Sequence, residues 1–109
     1  VKIWRRSGPA DPRRVLEKTV QEHVKEALAV FGWQVWDTSQ PFRAAITPGL
    51  PDLICLHPRR GVLFVEVKAP RGTLSAAQRA FQAACQSAGV CYLVARSAAD
   101  LVAQLEEPS

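Results

Sequence analysis

The chain has 109 residues, 48% hydrophobic and 22% charged, a balance that closes one core but not two. No apolar run approaches the roughly 20 residues of a membrane span, and no signal-peptide pattern is present; the expectation is a cytoplasmic protein without a membrane partner. The net charge of +4 is local: Lys2, Arg5, Arg6, Arg13 and Arg14 face Asp11 alone in residues 1–14, while the remainder is neutral. With Gly8, Pro9 and Pro12, this segment reads as a flexible basic arm suited to a polyanion, or as a solvated tail, ahead of one folded domain over 15–109.

After the arm, Leu16, Val20, Val24, Leu28 and Phe31 recur at helical spacing, and Gly32 supplies the stop. "WQVWDT" (33–38) is aromatic and β-branched and predicts a strand. "SQPFRAAITPG" (39–49) is a loop that points Arg43 outward. A hairpin follows, with strands near 52–56 and 62–68 around "HPRRG". "APRGTL" ends it, and a helix runs from Ser75 to about Ala88 with Leu74, Ala77, Phe81, Ala84, Cys85 and Ala88 as its buried stripe. "VCYLVA" (90–95) predicts an apolar strand, and a last helix spans Ser97 to about Glu106. The order α-β-β-β-α-β-α gives an α/β fold with a mixed sheet flanked by helices. Cys55, Cys85 and Cys91 lack metal-type spacing and sit in apolar context, so they are expected to be buried and reduced. Trp33, Trp36 and Phe42 are either core or apolar interface.

The hairpin "PGLPDLICLHPRRGVLFVEVK" (48–68) is the most apolar part of the chain, yet it carries Asp52, Glu66 and Lys68. A five-residue loop over 57–61 pairs Leu56 with Val62. Continued along the ladder, that register puts Asp52 opposite Glu66, with Cβ atoms about 5 Å apart, where two like charges repel. A divalent cation removes the conflict, since Mg²⁺ takes one or two carboxylates and keeps several waters. Lys68 shares a strand face with Glu66. Metal-bound carboxylates beside an ammonium suit attack of water on a phosphodiester: the metal stabilises charge, and lysine orients the water or carries its proton. "EVK" alone reads as a surface ion pair on an edge strand, and its combination with "PGLPD" and the register is what points to a site.

Those residues resemble the PD-(D/E)XK nuclease superfamily, with Pro51-Asp52 and Glu66-Val67-Lys68 as its two halves. More narrowly, "GLPD" (49–52), "EVK" (66–68) and "LSAAQ" (74–78), in that order, are similar to the VRR-NUC family, over about residues 15–100. The resemblance implies a restriction-endonuclease-like core. It implies Mg²⁺ or Mn²⁺ held by Asp52, Glu66 and the Val67 carbonyl, with Lys68 catalytic. It also implies an acid on the first helix one turn before a glutamine. Glu17 before Gln21 fits, sharing a helix face, whereas Glu22 projects elsewhere. Without the resemblance, Glu17 is a solvated acid near a helix N-terminus. Gln78 closes a capping box with Ser75, or turns to the active site near Lys68. His23 and His57 read as surface and turn residues.

Stand-alone members of this family are similar to Holliday-junction resolvases, homodimers acting on branched DNA and often encoded by bacteria, phages or mobile elements. The expected activity is therefore a metal-dependent endodeoxyribonuclease. Arg13, Arg14, Arg43, Arg59, Arg60, Arg71 and Arg79 are the candidate phosphate contacts. A general or restriction-type nuclease, and a non-catalytic DNA-binding module on the same fold, are the alternatives.

Overall fold

The β-hairpin at the centre of the fold fixes the register on which the site depends. The computed structural model describes residues 12–39 and 47–107, with side chains from residue 16 onward. Strands β2 (Leu53–His57) and β3 (Gly61–Val67) pair antiparallel, Leu56 with Val62 and Leu53 with Val65. The ladder continues one residue further than expected at the turn, where His57 pairs with Gly61. Gly61 has φ +82°, a conformation that disfavours any side chain. The Nδ1 of His57 accepts from the amides of Arg59 and Arg60 (3.1 and 3.2 Å), closing the turn. His57 is thus the turn residue its sequence context predicts.

Strand β1 (Gln34–Asp37) adds antiparallel to β2, and β4 (Cys91–Ala95) adds parallel to β3, giving the order β1-β2-β3-β4. The parallel pair requires a crossover, supplied by helix α2 (Ala76–Ala88). Helices α1 (Pro12–Val30) and α3 (Ala98–Glu106) complete the element order read from the sequence. Pro12 opens α1, where its missing N–H costs nothing, so residues 12–14 of the expected arm form the first turn of a helix.

Alternation along the strands divides the helices between two layers. Leu53, Cys55, Leu63, Val65, Val67 and Ala95 share one face and pack with Val20, Val24 and Leu28 of α1 and Leu101 and Leu105 of α3. The stripe on α1 is buried only over its middle turns, because Leu16 and Phe31 project past the sheet and stay exposed. Phe64, Glu66 and Tyr92 are on the other face, beneath α2, where Phe81 meets Phe64 edge-on (5.2 Å) and leans on Tyr92 (5.9 Å).

Helix α2 covers less of that face than its apolar stripe predicts. Only Cys85 is fully buried in it, and Ala84 and Ala88 are exposed. The half of the face formed by β1 and β2 has no helix over it among the described residues. Trp36 and Leu56 are 48% and 42% exposed there, and Val62, at the start of β3 beside Leu56, is 42% exposed. Trp33, by contrast, is core. Cys91 corrects the expectation of three buried cysteines, since β4 is an edge strand and its first residue is exposed. Cys55 and Cys85 are buried, and burial pushes the Cys55 thiol up to about 12, which keeps it protonated. No helix among the described residues is long and apolar enough to cross a membrane.

Candidate active site

Asp52 sits at the mouth of β2, one residue before its first ladder pair, and Glu66 lies near the end of β3. Asp52 Oδ2 accepts from the Val67 amide at 2.9 Å, so the aspartate side chain extends the ladder where the backbone has left it. The carboxylates are thereby brought together. Glu66 is 3% exposed and is the one buried charged residue among those described. Burial first, and then the charge of Asp52, push its carboxyl up to about 8. Burial also raises Asp52. At neutral pH, without a cation, the pair therefore shares a proton.

Lys68 follows on the same face, with its Nζ 3.8 Å from Glu66 Oε2 and its side chain 15% exposed. Gln78 resolves two readings that compete in the sequence. Its Oε1 accepts from the Ser75 amide (2.8 Å), closing the capping box, while its Nε2 donates to Glu66 Oε2 (2.9 Å). One amide has two ends, and α2 is capped and anchored to the site by the same side chain.

The "GLPD" turn is shaped by that helix. Gly49 has φ +89°, and a Cβ there would meet the Ala77 carbonyl oxygen at 2.6 Å. The turn before Asp52 thus presses directly on the first turn of α2, which explains why "GLPD" and "LSAAQ" belong to one constellation. Gly49→Ala is expected to lose at least about 1–2 kcal/mol from its φ alone, with the backbone clash adding to it. Urea unfolding measures that loss, and cleavage should fall with it as Asp52 shifts.

Three supporting residues carry no local sequence signal. Thr38, just after β1, donates its hydroxyl to the Pro51 carbonyl, and its amide donates to the Asp52 carbonyl at 2.8 Å. It pins the backbone on which Asp52 stands. Arg96, after β4, gathers the carbonyls of Ala69 (2.9 Å) and Gly72 (2.6 Å) around one guanidinium nitrogen. That clamp holds the loop beside Lys68, whose stem lies against Gly72. Asp37 accepts from Gln21 (2.9 Å) and Lys25 (3.2 Å), tying α1 to β1.

Gln21 is thus turned to Asp37 and Ser39. One turn earlier, Glu17 is close enough for its charge to act on Asp52, whereas Glu22 is exposed and pairs with Lys25 (3.3 Å). Arg71 and Arg79 lie on the loop and helix that follow Lys68, and Arg79 donates to the Leu74 carbonyl. Arg59 and Arg60 are at the far end of the hairpin, where Arg60 donates to the Leu105 carbonyl (3.0 Å) and lies over the Trp33 ring. Their placement does not bring them to the carboxylates. Arg43 and Phe42 are outside the described residues, as are the side chains of Arg13 and Arg14.

Among the described residues, no three His, Cys, Asp or Glu side chains cluster closely enough to hold a metal by themselves. Asp52 and Glu66 still fit a hard divalent cation. They are two facing carboxylates with raised pKa values, and Glu66 Oε1 is buried without a hydrogen-bond partner. Mg²⁺ needs few protein ligands, completes its shell with water, and tolerates a backbone carbonyl such as that of Val67 as a further ligand. A cleft of about 260 Å³, lined by Thr38, Ser39, Thr47, Asp52, Ser75 and Gln78, opens beside the pair.

A hairpin with an aspartate at its mouth, a Glu-x-Lys on the partner strand and a crossover helix to a parallel fourth strand form a mixed α/β core of the PD-(D/E)XK-like kind, and the family match makes it a nuclease-type domain. The VRR-NUC domain family model matches residues 4–99. A solved structure described as a VRR-NUC domain is 25% identical, with a TM-score of 0.72 over 86% of this chain and 98% of that one. No curated protein matches the chain significantly. The chain belongs to the VRR-NUC family.

Proposed function

We propose that this chain is a Mg²⁺- or Mn²⁺-dependent endodeoxyribonuclease that hydrolyses phosphodiester bonds of branched DNA, such as four-way junctions, as a homodimer. The observation that carries the chemistry is the convergence of Asp52, Glu66, Lys68 and Gln78 on one end of one sheet face. A cation bound there supplies charge neutralisation on the phosphate and a more acidic water. Asp52, Glu66 and the Val67 carbonyl are the groups to hold it. Gln78 and Lys68 fix the Glu66 carboxylate, and Lys68 is placed to orient the attacking water or to hold its proton. Glu17, at the rim, adds negative charge that favours a cation.

The branched substrate and the dimer rest on separate support. A chain of this size has one such site, and resolving a junction takes two nicks in strands related by its approximate two-fold axis. A two-fold dimer meets that need, and the bare half of the sheet, around Trp36, Leu56 and Val62, offers apolar area for it. The basic arm, with Arg71 and Arg79, supplies backbone contacts that read no sequence.

The test is cleavage of a four-way junction and its linear duplex side by side in Mg²⁺ or Mn²⁺, with light scattering at assay concentration. Paired nicks near the branch point by a dimer are expected. Equal degradation of linear duplex by a monomer leaves a general or restriction-type nuclease, and DNA binding without cleavage leaves a non-catalytic module.

A further inference from the structure

The segment that follows Lys68 is a braced turn with an unused charge near its tip. Ala69, Pro70, Arg71 and Gly72 form a β-turn closed by the Gly72 amide, which donates to the Ala69 carbonyl (2.9 Å). Proline at the second position presets the backbone for that bend. Two further ties hold the turn from outside. The Lys68 amide donates to the Ala95 carbonyl (3.0 Å). The next residue, Arg96, brings one guanidinium nitrogen to the carbonyls of Ala69 (2.9 Å) and Gly72 (2.6 Å). Both ends of the turn are thereby held at one point.

The Arg96 guanidinium meets no carboxylate among the described residues, because Asp100 is engaged by the Arg96 backbone amide instead (2.9 Å). Its charge stays uncompensated behind the turn. Arg71, at the third position, is exposed and has no hydrogen-bond or ion-pair partner among the described residues. Arg60 and Arg79, by contrast, are engaged by the carbonyls of Leu105 and Leu74. Two arginines on one tight turn repel each other, and a phosphate, which takes charge-assisted bonds from a guanidinium, offsets that repulsion. The Lys68 stem lies against Gly72, so the turn that displays Arg71 also borders the ammonium beside Glu66.

We infer that the turn over residues 69–72 is a phosphate hook: Arg71 binds a backbone phosphate flanking the scissile one, and Arg96 is the positioning residue that holds the turn in place for it. The inference rests on the nuclease reading above. It gives one of the sequence-independent contacts a fixed place next to Lys68, so that gripping the strand and aligning it with the site become one event.

The test is the affinity for four-way-junction DNA as a function of salt, with no divalent cation present so that nothing is cleaved. Arg71→Ala should flatten the slope of log K against log salt by about 0.9, the loss of one duplex phosphate contact. Arg96→Met should keep a cooperative melt and flatten the slope by a similar amount. The double variant should lose no more than either single one, because both remove the same contact. Losses that add would mark two independent phosphate contacts and overturn the positioning role, as would a folded Arg96→Met protein with the wild-type slope. An unchanged slope in Arg71→Ala overturns the hook itself. If Arg96→Met fails to fold, Pro70→Gly decides, since it frees the turn and removes no charge. It should weaken binding by roughly two- to five-fold in the wild-type background and have no effect on Arg71→Ala. Equal weakening in both backgrounds overturns the inference. A wild-type protein that binds no DNA removes the nuclease reading and the inference together, whereas the other failures leave that reading standing.

Discussion

Asp52→Ala and Glu66→Ala are each expected to lose cleavage by roughly a thousand-fold or more. A bound cation contributes several kcal/mol of charge stabilisation to the transition state, and each 1.4 kcal/mol is about tenfold in rate. The same substitutions are expected to leave a folded protein, since they relieve the crowding of two buried carboxyls while giving up the bond from the Val67 amide or from Gln78. Glu66 makes this testable without substrate. Its carboxyl is raised to about 8 in the folded protein against 4.5 ordinarily, so the native state binds the extra proton between those values. The stability that proton provides is complete below pH 4.5 and is lost as the pH rises through about 8. Metal-free wild-type protein should therefore weaken across that window. Glu66→Gln should flatten the slope, and Mg²⁺ should restore stability most at the alkaline end, where no proton competes. Urea melts at several pH values, with and without Mg²⁺, measure all of this. A Glu66→Gln protein with an unchanged slope, or either alanine variant with near wild-type turnover, would show that the pair is not the site.

How far the sequence reaches depends on how local each determinant is. The hairpin register follows from one loop length and the period of two, so the approach of Asp52 to Glu66 is readable from the residues alone: a slip of one residue would turn Val65 and Val67 out of the core. Helix α2 is similarly legible from its Ser75 cap, its apolar spacing and Gly89. The two uses of Gln78 are not separable in sequence, because an amide's two ends are distinguished only once Glu66 is beneath it.

Contacts made by closure of the sheet leave no such trace. Thr38 reaches across to Pro51 and Asp52, and Arg96 reaches back to Ala69 and Gly72. A lone threonine or arginine has no pattern to reveal a carbonyl that arrives from elsewhere in the chain. "VCYLVA" reads as a wholly buried strand because apolar content does not tell an edge from a centre. Placing β4 outermost exposes Cys91, and with no helix over one face of β1 and β2 among the described residues Trp36 is exposed. Both are consequences of strand order, which hydropathy does not encode.

Lys68→Met is expected to separate chemistry from metal binding. The ammonium is 3.8 Å from Glu66 Oε2, and its charge opposes the rise in the Glu66 pKa that burial and Asp52 cause. Removing it should therefore make Glu66 harder to ionise and weaken Mg²⁺ binding at neutral pH, whatever else Lys68 does. That cost is electrostatic, and it vanishes once the cation is saturating and the pH is above the Glu66 range. A role in orienting the attacking water or moving its proton does not vanish there. Such a role is typically worth about 10²–10⁴-fold. Methionine keeps much of the stem's length and apolar contact with Gly72, so the loop clamped by Arg96 should hold its place. Turnover of Lys68→Met at saturating Mg²⁺, near pH 9, should remain at least a hundred-fold below wild type while DNA affinity is retained. Arginine should not rescue it, since a planar guanidinium is neither a compact point charge nor a group that releases a proton. Recovery of turnover to within a few-fold under those conditions would assign Lys68 to holding Glu66 ionised and leave the water to another group.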